Sequence, residues 1–341
     1  YARDGGMFEF FEQDLNGRLT YLDFAHRQHV VWMQDAVTFH NQLRASEGYE
    51  LAGIAIDGLG NEDPGVWDVL ATQGEPILDT IDRLSTVSTA NHVRYEGEGV
   101  FRRVTSDGVD GRRKLTADSR GFYITSLEYP APPRPIQIER LGQSDRTQLT
   151  LTFDDGPDPE FTNLVLDVLA EKQVLATFFV IGENILTYPE LLRRITDEGH
   201  MLGVHTFSHA VIEGTSRLRA ELELNATQRL IAAATGRMTL LYRTPYETGT
   251  GPVSRYVVQP DQVASEAGYL SVGADVVPRD WTDMTAQDLY EMARAGVRSG
   301  GSVIVLHDGG GDRTQTVEAL GMMIDEFQAN GYSFVTPAEM L

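Results

Sequence analysis

The chain has 341 residues, 41% of them apolar and 9% aromatic, which is enough for one large or two ordinary globular domains with a buried core. Fifty acidic against 28 basic side chains give a formal charge of −22, which repels nucleic acid and anionic lipid. Cysteine is absent, so disulfides, thiolate metal ligands and cysteine nucleophiles are excluded.

The first residues, Tyr1 to Gly6, are neither a start methionine nor a signal peptide, and the chain reads as an excised or processed piece of something longer. No stretch approaches the ~18 apolar residues of a membrane span. Residues 27–70 suggest a strand at His29–Met33, a helix at Ala36–Ala45, a strand at Leu51–Ile56 and a helix at Pro64–Leu70. Residues 92–140 look like a run of short β-strands with Gly and Asp turns. Within it, Arg112, Arg113 and Lys114 form the densest basic run and are expected on a solvated loop. The Pro-rich stretch Tyr129–Pro135 favours extended backbone, and a domain boundary is placed just after it.

Beyond the boundary, short apolar runs alternate with amphipathic segments, the signature of parallel strands joined by helices. The candidate strands are Gln148–Phe153, Ala176–Ile181, Met201–Val204, Leu240–Arg243, Tyr269–Val272, Ser302–Leu306 and Ser333–Val335. Helices are expected at Thr162–Lys172, Pro189–Glu198, Ser216–Ala234, Asp261–Glu266, Thr285–Val297 and Thr314–Asn330. The fold class is therefore α/β, a small and incomplete (β/α) barrel of seven strands, with an N-terminal α/β fragment and a small β-rich unit. Periodicity alone does not separate such a barrel from an open sheet.

Residues suited to chemistry follow these strands. Asp154 and Asp155, before Gly156-Pro157, end the first; the Gly-Pro turn lets both carboxylates face one cavity, as a metal ligand and a general base, although a plain surface turn fits the segment alone equally well. His205 and His209 follow the third strand, four residues apart. With Asp155 they make one carboxylate and two imidazoles around an open position, a set suited to a hydrolytic divalent ion such as zinc. Arg243-Thr-Pro245-Tyr246, Asp280-Trp281 and Leu306-His307-Asp308 end later strands.

These five segments, in this order, resemble the motifs of the polysaccharide deacetylases, the NodB homology domain of carbohydrate esterase family 4, over about residues 146–341. The resemblance implies Asp154 as general base, Asp155, His205 and His209 as metal ligands, and Arg243 orienting Asp154. It further implies the Tyr246 N–H as an oxyanion donor, His307 as general acid tuned by Asp280, and Trp281, Leu306 and Pro245 at the pocket. The reaction implied is hydrolytic release of acetate from N-acetylglucosamine-containing glycans, with Zn2+, Co2+ or Ni2+, in the bacterial envelope or a secreted, extracytoplasmic setting. Three positions depart from the pattern: Ala210 stands where Pro is usual, Glu247 where Gly is usual, and Val277 where Asp is common.

Residues 29–38 and 53–67 resemble, more partially, the last strands and helices of a family 18 glycoside hydrolase barrel, although the Asp-rich catalytic strand motif of that family is missing from the sequence. Such modules can accompany a deacetylase and a glycosyltransferase, which would lie, with the rest of the glycosidase-like barrel, outside this chain. The expected domains are a glycosidase-like segment at 1–88, a β-rich connecting unit at 89–140 and the deacetylase domain at 146–341. Competing readings are a metal-dependent amidase for a small non-sugar amide and an inactive carbohydrate-binding relative.

Overall fold

The computed structural model describes residues 7–11, 13–22, 26–49, 52–56, 62–89, 93–142, 147–246 and 255–341. The chain forms two compact units, one of Tyr1–His92 with Asp107–Ile136 and the other of Val93–Ser106 with Gln137–Leu341. Residues 89–140, expected as one connecting unit, are thus shared between the two.

The larger unit is built on one mixed, ten-stranded sheet. Its order is Val303–His307, Gln148–Asp154, Thr177–Val180, Met201–Val204, Leu241–Tyr242, Leu270–Val272, Phe101–Ser106, Ile136–Leu141 and Val93–Gly97, and Ser333–Phe334 also pairs with Gln148–Asp154. All seven expected strands form, within two residues of the expected ends, and run parallel. The count of seven is corrected to ten, because Phe101–Ser106 joins Leu270–Val272 antiparallel and brings two more strands with it. A bridge between Val276 and Ile304 links the far sides of the parallel set, giving a distorted, open (β/α) barrel.

Strand alternation decides what each residue faces. Leu149, Leu151, Phe153, Phe178, Val180, Leu202, Val204, Tyr242, Ile304 and Leu306 pack outward in one continuous core with residues of the helices. Those helices are Phe161–Lys172, Pro189–Asp197, Arg217–Thr235, Arg255–Glu266, Ala286–Arg298 and Thr314–Ala329; all lie close to their expected bounds except Arg255–Glu266, which starts well before the expected Asp261. The other parity points into the barrel, where Phe101, Phe179, Leu241, Val272, Val303 and Met340 form a smaller core. Burying a large apolar side chain contributes about 1.5–3 kcal/mol, so a one-residue slip of any strand would be heavily penalised. Asp154, His205, Arg243 and His307 share this inward parity at the C-terminal ends of their strands, which is how the sequence brings them to one mouth.

The smaller unit has two three-stranded antiparallel sheets. One is Met7–Phe11, Asn16–Leu22 and Gln28–Met33; the other is Thr86–Val87, Gly111–Ala117 and Ile124–Ala131. Helices Ala36–Ser46, Gly65–Ala71 and Ile77–Leu84 contribute Val37, Val66, Val69 and Leu84 to a core shared with Ile124 and Leu127. The expected strand at Leu51–Ile56 is absent from the described residues 52–56, and Gln28–Met33 pairs antiparallel with Asn16–Leu22. These residues therefore do not make the parallel barrel edge implied by the glycosidase resemblance, whose Asp57–Gly60 portion lies outside the described residues. The basic run is not a loop either. It lies on a strand, so alternation exposes Arg112 and Lys114 and buries Arg113, whose guanidinium meets Asp63 at 2.5 Å.

Candidate metal and catalytic site

Asp155, His205 and His209 converge, with one ligand atom from each lying within 4.8 Å of the others. Asp155 Oδ1 is 3.1 Å from His209 Nε2 and 3.4 Å from His205 Nε2, yet it is buried and accepts no hydrogen bond. A buried carboxylate oxygen facing two ring nitrogens with no donor is costly unless a cation stands among them. His205 Nδ1 lies 2.9 Å from the Arg243 carbonyl; protonated there, it leaves the Nε2 lone pair free for an ion. Burial pushes the Asp155 carboxyl up, but the two imidazoles outweigh it and hold the group well below the usual carboxylate range. A divalent cation fits this donor set.

Backbone strain concentrates here. Of the eight described non-glycine residues with positive φ, Asp155, His209 and Tyr246 belong to the site, Thr206 follows His205 and Arg279 precedes Asp280. Each such residue costs on the order of 1–3 kcal/mol and persists only where its surroundings fix it. For the histidine loop the fixing group is Glu223, whose carboxylate accepts the Phe207 and Ser208 N–H groups at 2.8 Å each and the Ser208 hydroxyl at 2.9 Å. These bonds outweigh burial and hold Glu223 below its ordinary pKa. Tyr246, 67% exposed, packs its ring 4.5 Å from that of His209, and Pro245 beside it is buried.

Asp154 is buried and oriented by Arg243, whose Nη1 donates to Asp154 Oδ1 at 2.8 Å and to Thr152 Oγ1 at 2.7 Å. The rest of that guanidinium donates to the carbonyls of Val272 and Gly273 and lies 4.3 Å from the Phe179 ring centroid. Asp154 and His307 are register partners on adjacent parallel strands, so their side chains emerge side by side. His307 Nδ1 is 2.7 Å from Asp280 Oδ1, while Asp280 Oδ2 accepts the His307 N–H at 2.8 Å and the Thr316 hydroxyl at 2.9 Å. Arg313 donates to the Asp280 carbonyl and to those of Gly309 and Gly310.

Burial alone would lower the His307 pKa, but the hydrogen bond and charge of Asp280, aided by Asp154 and Asp155, raise it above the ordinary value. His307 is therefore suited to acting as an acid near neutrality, and its protonated form is lost as pH rises through the raised value. Asp280→Asn removes the main raising influence, so the alkaline limb of the kcat profile is expected to move to lower pH. An unmoved limb would show that another group sets it.

Trp281, 46% exposed, stands edge-on to His307 with ring centroids 5.3 Å apart. Leu306 does not share that pocket, which corrects the expectation. It is 0% exposed in the outer core, because adjacent residues of a strand face opposite ways; Val305, two before His307 and 7% exposed, has the inward parity instead. The sequence reading missed Val305, Thr152, Glu223, Arg313 and Thr316. Strand parity identifies the first two, whereas a buried Glu on a helix carries no local signal of its role.

Residues 142–271 match the family described as "Polysaccharide deacetylase". A peptidoglycan-N-acetylglucosamine deacetylase of Bacillus cereus is 35% identical over 57% of this chain and 87% of its own length. The chain belongs to the polysaccharide deacetylase family. A chitooligosaccharide deacetylase of Rhizobium leguminosarum bv. trifolii is 32% identical over 58% of this chain and 93% of its own. A solved peptidoglycan N-acetylglucosamine deacetylase, in complex with an N-oxidanyl-benzamide, superposes with a TM-score of 0.53 and 31% identity, covering 59% of this chain and 91% of that one. The family match includes all three residues of the triad and Arg243. The chain also contains the second compact unit, Tyr1–His92 with Asp107–Ile136.

Proposed function

We propose that the protein hydrolyses the acetamido group of N-acetylglucosamine-containing glycans, releasing acetate and leaving a free amine. The observation that carries this reading is the undonated Asp155 oxygen between two imidazoles, beside an Arg-oriented Asp154 and an Asp-seated His307. Asp155, His205 and His209 would hold the ion; two imidazoles and one carboxylate suit zinc, and accept cobalt or nickel. When bound, the ion supplies Lewis acidity toward water and the acetyl carbonyl.

The remaining work belongs to the side chains. Asp154, fixed by Arg243, takes the proton of the attacking water, and the Tyr246 N–H donates to the oxygen of the carbonyl as it becomes tetrahedral. His307, with Asp280 holding Nδ1, delivers a proton from Nε2 to the departing nitrogen, which is a poor leaving group until protonated. Trp281 and Val305 would flank the acetyl methyl and exclude water from it. The exposed rings of Tyr246 and Trp281 suit the faces of sugar units and favour a polymer over a small amide.

Residues 147–341, with Val93–Ser106 and Ile136–Leu141 completing the sheet, form the catalytic domain in this reading. An extracytoplasmic setting, in the bacterial envelope or secreted, is supported by the peptidoglycan named for relatives. The test is acetate release from N-acetylglucosamine oligomers, peptidoglycan and N-acetylated small amides by chelator-stripped and zinc-reconstituted protein. Zinc-dependent acetate from the glycans alone is expected. Equal rates with stripped protein, or release only from small amides, would refute the proposal.

A further inference from the structure

Two buried groups beside the site have no part in the chemistry above. The Asp308 carboxyl is completely buried, and so is the Thr162 hydroxyl, which donates to Asp308 Oδ2 at 2.5 Å while accepting the Asp158 N–H at 2.8 Å. The Asp308 N–H donates to the Asp154 carbonyl at 3.1 Å. Its carboxyl is seated so closely against Gly156 that a Cβ there would stand 2.3 Å from Oδ2. The residue that follows His307 therefore touches the chain immediately before Asp155 and immediately after it, and through Thr162 reaches Asp158.

We propose that Asp308 and Thr162 form a brace that positions the metal ligand Asp155 relative to His307, making both of them positioning residues for the metal centre. Asp155 is held in a left-handed conformation, with φ at +75°, a region that residues with a Cβ seldom occupy. Two anchors, Asn184 Nδ2 to the Asp155 carbonyl at 2.8 Å and the Ile181 N–H to the Gly156 carbonyl at 2.9 Å, both come from residues 181–184. The brace is the anchor on the opposite side, where the His307 strand runs. It also accounts for glycine at 156, since any side chain there would displace the Asp308 carboxyl. Ligand and general acid are thus registered by one group, so a shift of the brace changes the geometry of the triad before it changes the fold.

This inference rests on the proposed metal site, and cobalt reports on the two separately. Cobalt affinity by chelator competition, the visible absorption of the cobalt protein, kcat and KM, and the melting temperature are measured for the parent, Thr162→Val and Thr162→Ser. Valine keeps the size of the side chain without its hydroxyl; serine keeps the hydroxyl. Thr162→Val is expected to lose about 10- to 100-fold in cobalt affinity and to show an altered visible band, the usual effect of removing a group that orients a ligand, with kcat falling more than KM rises. Thr162→Ser is expected to recover both. If valine prevents folding, Thr162→Ala removes the same hydroxyl and is read the same way. Parental affinity and spectrum in the hydroxyl-free variant, or equal impairment in serine and valine, would overturn the brace. A parent that binds no cobalt would instead remove the metal reading, and the brace with it.

Discussion

His307→Ala is expected to lower kcat by about 100- to 10,000-fold, the usual range for losing a general acid, while metal content stays at the parental level. The split follows from position. His307 is seated by Asp280 and is not among the groups that converge on Asp155. Its removal takes one of three donors from the buried Asp280 carboxylate, leaving the backbone N–H of residue 307 and the Thr316 hydroxyl. The stability cost should therefore be modest, about 1–3 kcal/mol, and the variant should remain folded. Assaying acetate release alongside metal analysis of the same preparation checks both halves; loss of the ion with the activity would make His307 a ligand.

Asp154→Asn is expected to be equally damaging to turnover, again by about 100- to 10,000-fold, because an amide does not accept the water's proton. The amide oxygen can still accept from Arg243, whose remaining donors are satisfied by Thr152, Val272 and Gly273, so orientation survives the change. Metal affinity should hold. Single-turnover kinetics with an N-acetylglucosamine oligomer separate this loss from weakened binding: the chemical step slows and KM changes little. Near-parental turnover would assign the proton to another group.

The site was legible in the sequence to the extent that chemistry sits at strand ends. Asp154, His205, Arg243 and His307 each follow an apolar run whose alternation already sets an inward direction, and the run itself marks the strand. The family resemblance puts Leu306 at the pocket, whereas strand parity turns it outward; the same rule applied to Val305 gives the face that the structure shows. Residues 92–140 read as short strands, but nothing local states that Phe101–Ser106 pairs with Leu270–Val272, some 170 residues away in sequence. Pairing of that range depends on complementary faces, not on propensity. The apolar run Leu51–Ile56 shows the converse, since its described part finds no strand to pair with. Arg112, Arg113 and Lys114 read as solvated because they form a block of like charge, although a strand places neighbours on opposite faces and buries Arg113.

Crystals of the cobalt-loaded protein, with data collected at the cobalt edge, test whether Asp155, His205 and His209 share one ion. One strong anomalous peak is expected within about 2.0–2.3 Å of an Asp155 carboxylate oxygen and the Nε2 atoms of His205 and His209, with Asp154 and His307 nearby but unbonded. A peak elsewhere, a peak bonded to His307, or no peak at stoichiometric cobalt would contradict it.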